Sequence, residues 1–149
     1  MIAKINMITT LQVDLLPEGI DDLSLISREL FKIYEIIKTE FPDVYVNCKK
    51  GKRLHNHSGY RKPDSRVGAA NSAHKQGKAL DLHRESKREN LNLYEWIIQN
   101  GAAHGICRME DRKVTIDNSP GYGWVHIDIA EGNKSHPNQW HNGIYVFIP

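Results

Sequence analysis

The chain has 149 residues, of which 40% are hydrophobic and 26% are charged, a composition typical of a globular domain. Its length suits one domain with a sizeable core, so we expect residues 1–149 to form a single domain with residues 1–20 as a lead-in segment. The net charge of +2 and the isoelectric point near 8.5 are too mild for a nucleic-acid-binding protein, which would carry a clustered basic face.

The N-terminus, the hydropathy and the cysteines bear on export, membrane insertion and disulfide formation. The first ten residues lack a long apolar run and a small-residue cleavage site, so they do not resemble a signal peptide. No window reaches the apolar length of a membrane span, and we predict no membrane insertion. Cys48 and Cys107 form no C-x-x-C pair, which excludes a cysteine zinc site within this chain. We favour two free buried thiols over a disulfide between them.

A first helix should follow the lead-in, which Pro17 and Gly19 close. Asp21 or Asp22 can cap this helix, and it should end before Pro42. Its apolar residues recur at helical spacing and predict a face buried in the core: Leu23, Ile26, Leu30, Ile33, Tyr34 and Ile37.

Residues 44–53 are predicted to form a short strand followed by a turn. Val44 and Val46 flank Tyr45, which predicts a short strand into a basic turn at residues 49–53. His55 and His57 form an H-x-H pair that would share one face of a strand. We favour a surface pair, or one imidazole at the mouth of a site, and keep a metal role as the alternative.

His74 and Asp81 have a spacing that indicates a turn. On a continuous helix, seven positions would separate them by about 10 Å along the axis, too far for one metal ion. Gly77 permits a tight turn between them. Residues 79–83 then alternate with period two, so Leu80 and Leu82 should face the core while Asp81 and His83 lie on the opposite face of the strand.

A second alternating stretch completes a candidate zinc site. Within residues 124–129, His126 and Asp128 lie on the face opposite the aliphatic residues. Two neighbouring strands could therefore aim His74, Asp81 and His126 at one point. Three nitrogen and oxygen ligands leave the fourth zinc position open, as in catalytic sites. His141 is the competing third ligand, but it lacks an alternating apolar strand.

The remaining elements carry little functional signal. Residues 85–100 are predicted to form a second helix with an apolar face of Leu93, Trp96 and Ile97, stopping at Asn100 and Gly101. Residues 107–118 are expected to be an exposed strand pair or irregular strand, residues 117–121 a loop, and residues 143–149 a last strand.

Three blocks of this sequence resemble one known family. They are Ser58-Gly-Tyr-Arg61, Ser72-x-His74-x-x-Gly77-x-Ala79-x-Asp81 and Gly123-Trp-Val-His126-Ile-Asp128. The chain is similar to the zinc D-alanyl-D-alanine carboxypeptidases, a family that includes peptidoglycan endopeptidases and phage endolysins and shares its fold with the hedgehog signalling domain. The resemblance implies a single α+β domain with a small antiparallel sheet and helices packed on one side.

The resemblance also implies roles for single residues. Zn²⁺ would be held by His74, Asp81 and His126. Arg61 would bind a substrate carbonyl or carboxylate, with a structural salt bridge as the alternative. Tyr60 and Trp124 would contact substrate, and Ser72 would support the ligands without acting as a nucleophile.

The general base is where this chain departs from much of the family. Many members place Glu or Asp three residues before the third ligand, and some place His two before, but here these positions are Gly123 and Trp124. Another branch, with Gly-(Trp/Phe)-Val-His-x-Asp, is closer, and it makes Asp128 the candidate base, about 7 Å along the strand from His126. The alternative for Asp128 is a partner that orients a ligand histidine. Less supported candidates for the base are His104, Asp117 and His83.

The implied activity is zinc-dependent hydrolysis of peptide bonds in peptidoglycan stem or cross-link peptides. We expect a monomeric hydrolase of the endolysin type, made in the cytoplasm without an export signal and acting on the cell wall after release. The alternatives are a non-catalytic, zinc-stabilised binding module of the same fold, and a D-alanyl-D-alanine dipeptidase or carboxypeptidase.

Overall fold

The computed structural model describes residues 13–149, so the first part of the predicted lead-in segment lies outside it. Two long α-helices and seven short strands have both ends among these residues, and residues 13–15 are also helical. These are α1 (Arg28–Glu40), β1 (Cys48–Lys49), β2 (Lys52–Arg53), β3 (Ala79–Leu82), α2 (Lys87–Asn100), β4 (Arg108–Glu110), β5 (Val125–Asp128), β6 (Trp140–His141) and β7 (Ile144–Phe147). The predicted α+β class and single domain are confirmed.

The main sheet has five strands in the order β3-β5-β4-β7-β6, and β1 and β2 form a separate hairpin. β3 with β5, β4 with β5, and β6 with β7 are antiparallel, but β4 and β7 are parallel. The expectation of an antiparallel sheet is therefore wrong at one pairing. The chain passes through β5 and β6 before β7 returns beside β4, and such a long connection allows parallel pairing.

One face of the sheet forms the core with both helices. Side chains from β3, β4 and β5 lie in one apolar cluster with those of α1 and α2. The sheet contributes Leu80, Leu82, Met109, Val125 and Ile127, and the helices contribute Leu30, Ile33, Tyr34, Ile37, Leu93, Tyr94 and Ile97. Because successive side chains of a strand alternate, the intervening polar residues are on the other face, where the candidate site lies.

Helix α1 starts later than the sequence indicated. Asp22 caps only a 3₁₀ turn, Leu23–Leu25, and Ser27 caps the α-helix through its hydroxyl oxygen. Aspartate and serine are both favoured N-cap residues, and here Ser27, directly before Arg28, caps the regular helix. The predicted end before Pro42 is confirmed, since the helix stops at Glu40.

Two other local predictions need correction. Residues 44–46 form no strand, because Tyr45 makes a single antiparallel bridge with His83. The segment expected to be an exposed strand pair holds β4 and then a π-helical turn, Lys113–Asp117. Met109 and Ile116 are fully buried within it. The high charge of this segment favoured the prediction that it is exposed, although it contributes these two residues to the core.

The second helix and the last strand are close to their predicted positions. Ser86 caps α2 by accepting a hydrogen bond from the Glu89 amide. The chain continues past the predicted stop into a 3₁₀ turn, Gly101–His104, and leaves it at Gly105 in the left-handed conformation.

The end of the lead-in packs against the domain. Leu15 and Leu16 are fully buried. Asp14 is also buried, and its carboxylate accepts hydrogen bonds from the Tyr34 hydroxyl and from backbone amides, including that of Cys48. Cys48 and Cys107 are free thiols, and each is half-buried, not fully buried as expected.

Among residues 13–149, no helix has the length and apolar character that crossing a bilayer requires.

Candidate metal centre

Strand register places four side chains in one row across the polar face of the sheet. Asp81 on β3 pairs with His126 on β5. Arg108 pairs with Asp128 and Met109 with Ile127, which puts Glu110 of β4 level with His126. Glu110 in turn pairs with Phe147 of β7. We call Asp81, His126, Glu110 and Phe147 the metal row.

His74 reaches this row from a 3₁₀ turn, Ala73–Gln76, and the turn predicted at Gly77, between His74 and Asp81, is present. Gly77 ends the turn in the left-handed conformation with φ of 67°. A Cβ atom there would lie 1.8 Å from the Leu25 carbonyl oxygen, so both the backbone angle and the space require glycine. The turn brings His74 Nε2 within 3.3 Å of Asp81 Oδ1.

The three predicted ligands lie together. One ligand atom from each of His74, Asp81 and His126 falls within 4.8 Å of the others, and this group could hold a metal ion. His126 Nδ1 is 2.9 Å from Asp81 Oδ1. The predicted convergence of these side chains is confirmed.

In each of the two imidazoles, the outer nitrogen, which is the ring nitrogen that does not face Asp81, contacts an oxygen atom of another residue. His74 Nδ1 is 2.9 Å from the Gly59 carbonyl oxygen, and His126 Nε2 is 3.0 Å from Asp128 Oδ2. Such contacts fix which ring nitrogen carries the proton in metal-binding histidines. They leave His74 Nε2 and His126 Nδ1 directed at Asp81. Two imidazole nitrogens and one carboxylate oxygen form a donor set that suits zinc.

The charges in this group are strongly coupled. Burial alone would raise the pKa of Asp81, but the charges and hydrogen bonds of His74 and His126 hold it well below its usual range. Burial would lower the pKa of His126, but hydrogen bonds with Asp128 and Asp81 outweigh it and raise the pKa to about 10. A metal ion would therefore displace a proton from His126 at neutral pH.

Asp128, the predicted general base, is not placed to act as one. Its side chain is fully buried, and its carboxylate accepts hydrogen bonds from Arg108 Nε at 2.8 Å and Arg108 Nη2 at 2.9 Å. The same carboxylate also bonds His126 and the Ala130 amide. With these oxygens occupied, the geometry favours the alternative role, a partner that orients His126.

Glu110 is a carboxylate at the site that the sequence did not single out. Its side chain is 18% exposed, lines the same cleft as the three ligands, and places Oε1 3.9 Å from His126 Nδ1. Burial raises the pKa of this carboxyl, while the nearby positive charges of His126, His74 and Arg61 oppose the rise. The alternation of Arg108, Met109 and Glu110 is the one local signal, but the register with β5 is not visible in the sequence.

Gly123 occupies a position in which no other residue fits. It has φ of +74°, and a Cβ atom would lie 2.4 Å from the Thr115 carbonyl oxygen. No side chain fits there without moving the π-helical turn.

The predicted substrate residues separate into two groups. Arg61, Ser72 and Trp124 line the cleft. Arg61 Nη2 is 3.3 Å from Asp81 Oδ2, and Arg61 Nε donates to the His57 carbonyl, so the salt bridge considered for Arg61 is present. Tyr60 is buried in the core cluster and does not line the cleft, which contradicts its predicted contact with substrate.

The competing histidines lie elsewhere. His141 is exposed on β6, and His104 is exposed and stacked with Trp96. His83 is buried against Ser58, with His83 Nε2 2.8 Å from the hydroxyl oxygen. His55 stacks on His83 with 4.1 Å between ring centroids, and His57 is exposed. Asp117 is exposed and bonded to Arg112.

The cleft over the metal row has a volume of about 350 Å³, and its lining includes Arg61, Trp124 and Phe147. A cavity of about 460 Å³ elsewhere is bordered by Lys38 and Tyr45 and contains none of the three ligands.

Comparison with known proteins does not identify the family: no family model, curated protein or solved structure matches the chain.

Proposed function

We propose that the protein is a zinc-dependent peptidase that hydrolyses peptide bonds in peptidoglycan, of the endolysin type. The observation that carries this proposal is the convergence of His74, Asp81 and His126 beside a carboxylate, Glu110, within an open cleft. Two imidazoles and one carboxylate are the ligand set of several zinc peptidases, in which the metal keeps a position for water.

Zinc bound by these residues would polarise the scissile carbonyl and lower the pKa of an attacking water from 15.7 to about 7. Glu110 accepts the proton that water loses as its oxygen bonds to the carbonyl carbon, and then gives that proton to the amine nitrogen as the carbon–nitrogen bond breaks. Its partial burial suits both steps, because a carboxyl with a raised pKa can hold the proton between them.

Arg61 assists at the carbonyl oxygen. Its Nε and Nη2 groups are used by the His57 carbonyl and by Asp81, which holds the guanidinium at the cleft and leaves Nη1 for substrate. A fixed, permanently charged donor stabilises the negative charge that develops on that oxygen.

The peptidoglycan substrate rests on the sequence blocks around Arg61, His74 and His126, which resemble wall peptidases. The hedgehog-like fold of those enzymes is part of the same proposal. A cleft lined by Arg61, Arg108 and Trp124 is compatible with a peptide that carries carboxylates.

The direct test measures new amino termini released from purified peptidoglycan, with and without a zinc chelator. We expect release that chelation abolishes and added zinc restores. Mass spectrometry of fragments from a defined muropeptide then identifies the bond. Release that is indifferent to chelation contradicts the zinc mechanism, and absence of release contradicts the peptidase. If zinc binds and stabilises the protein while no peptide is cut, the non-catalytic zinc-stabilised module is the better account.

A further inference from the structure

A second row of side chains lies next to the metal row on the same face of the sheet. Register places Asp128 of β5 opposite Arg108 of β4, two residues along these strands from His126 and Glu110. Asp128 is fully buried, and both of its oxygens accept hydrogen bonds from Arg108 in the two-pronged arrangement that a guanidinium allows. Asp128 Oδ2 also faces His126 Nε2 at 3.0 Å.

The buried Asp128 carboxylate needs this partner. A buried carboxylate that loses its paired cation is strongly disfavoured and moves toward water. The remaining partners of Asp128 are the His126 ring and the Ala130 amide. Without Arg108, the Asp128 carboxylate would no longer be held in position beside His126 Nε2.

Arg108 is itself held in place. Its guanidinium carbon lies 4.8 Å from the centre of the Phe147 ring, and its side chain is 26% exposed. A lysine could supply the charge at this position but not two parallel hydrogen bonds or the planar contact with Phe147.

We propose that Arg108 is a positioning residue for the metal centre, acting through Asp128 on His126. By fixing the position of the Asp128 carboxylate, Arg108 holds the His126 ring in the orientation that directs Nδ1 toward Asp81 and the metal position. This inference rests on the proposed metal site and assigns Arg108 a role in metal affinity, distinct from any contact with substrate.

The experiment measures zinc affinity by competition with a chromophoric chelator. We expect Arg108→Met to raise the dissociation constant about 10- to 100-fold, the effect typical of losing an outer partner of a ligand. Arg108→Lys should give a smaller increase. Arg112→Met is the matched control, because Arg112 also pairs with two carboxylates but borders a different pocket from the metal site, and it should leave the affinity unchanged.

Two readouts separate positioning from general destabilisation. If Arg108 acts through Asp128, Arg108→Met added to Asp128→Asn should weaken zinc binding little further, since residues in one chain of contacts are not additive. In ¹⁵N spectra of the zinc-loaded protein, His126 should show metal-bound Nδ1 and protonated Nε2 in the wild type. In Arg108→Met that signature should be lost or divided between two ring states.

An affinity within twofold of the wild type in Arg108→Met would overturn the role of Arg108 alone, as would fully additive losses with Asp128→Asn. A wild-type protein that takes up no zinc would instead overturn the proposed function and this role together.

Discussion

At the scale of single residues, the proposed chemistry depends on two carboxylates that the fold treats differently. Asp128 is fully buried and bonded to Arg108 and His126, whereas Glu110, level with His126 in the next strand, keeps 18% of its side chain exposed. Because these groups lie on opposite sides of the imidazole, one can orient the ligand while the other exchanges protons with substrate.

Glu110→Gln tests the proton-transfer role. The amide keeps the size of the side chain but cannot accept the proton, so we expect kcat to fall by about 10²- to 10⁴-fold while zinc content is unchanged. Glu131→Gln, an exposed change on the loop after β5, is the control and should retain wild-type activity. Activity of Glu110→Gln within threefold of the wild type would remove Glu110 from the mechanism.

At this scale the sequence predicts the three ligands but not their surroundings. His74, Asp81 and His126 are encoded by local features, a glycine turn and two alternating strands, which are present in the folded chain. The place of Glu110 depends on pairing between β4 and β5, and no local pattern specifies that register. The prediction for Tyr60 is wrong because proximity in sequence to Arg61 does not tell which way a side chain points.

At the scale of elements, the 3₁₀ turn before β3 is the part of the chain that makes the site. Its carbonyls connect it to two other regions, since the Ser27 amide donates to the Gly77 carbonyl and the Arg61 amide donates to the His74 carbonyl. The turn therefore ties the start of α1 and the Arg61 segment to the first ligand.

Gly77→Ala should destabilise the protein more than the same substitution at a left-handed glycine that has free space around it. Gly51 has φ of +79°, but a Cβ atom added there would meet nothing within 4 Å, so Gly51→Ala is a control for backbone strain alone. At Gly77 the methyl group also collides with the Leu25 backbone. We expect Gly77→Ala to lower the free energy of unfolding by on the order of 2 kcal/mol more than Gly51→Ala.

Urea unfolding with a constant m-value measures that difference, and zinc binding should weaken in Gly77→Ala only. Equal stability of the two variants would show that the close contact at Leu25 does not constrain the turn.

At the scale of the whole molecule, one buried histidine should make stability depend on pH. Burial, with a further contribution from His55, lowers the pKa of His83 to about 4 from a usual value of 6.5. The unfolded chain then binds more protons than the folded chain between those pH values, so stability is fully present above pH 6.5 and is lost as the pH falls toward 4. The shift corresponds to about 3 kcal/mol.

His83→Gln removes this titration and retains a group that can bond the Ser58 hydroxyl. In metal-free protein, we expect the free energy of unfolding to fall by about 3 kcal/mol less in this variant than in the wild type between pH 7 and pH 4. His136→Gln, at an exposed position, should follow the wild type. Parallel pH profiles for His83→Gln and the wild type would contradict the neutral, buried state of His83.

Zinc should also stabilise the whole domain, because its ligands come from the 3₁₀ turn, β3 and β5, which meet only in the folded chain. At a free zinc concentration of 100 times the dissociation constant, binding contributes about 2.7 kcal/mol to the free energy of unfolding. Thermal unfolding followed with increasing zinc should therefore show a rising midpoint, and a midpoint independent of zinc would argue against a site made by folding.

The most direct measurement is metal content after equilibrium dialysis against zinc, for the wild type and for His74→Ala, Asp81→Ala and His126→Ala. We predict one zinc ion per chain in the wild type, loss of zinc in each of the three variants, and full retention in His136→Ala. A wild-type chain that retains no zinc, or a His126→Ala variant that retains a full equivalent, would contradict the metal centre.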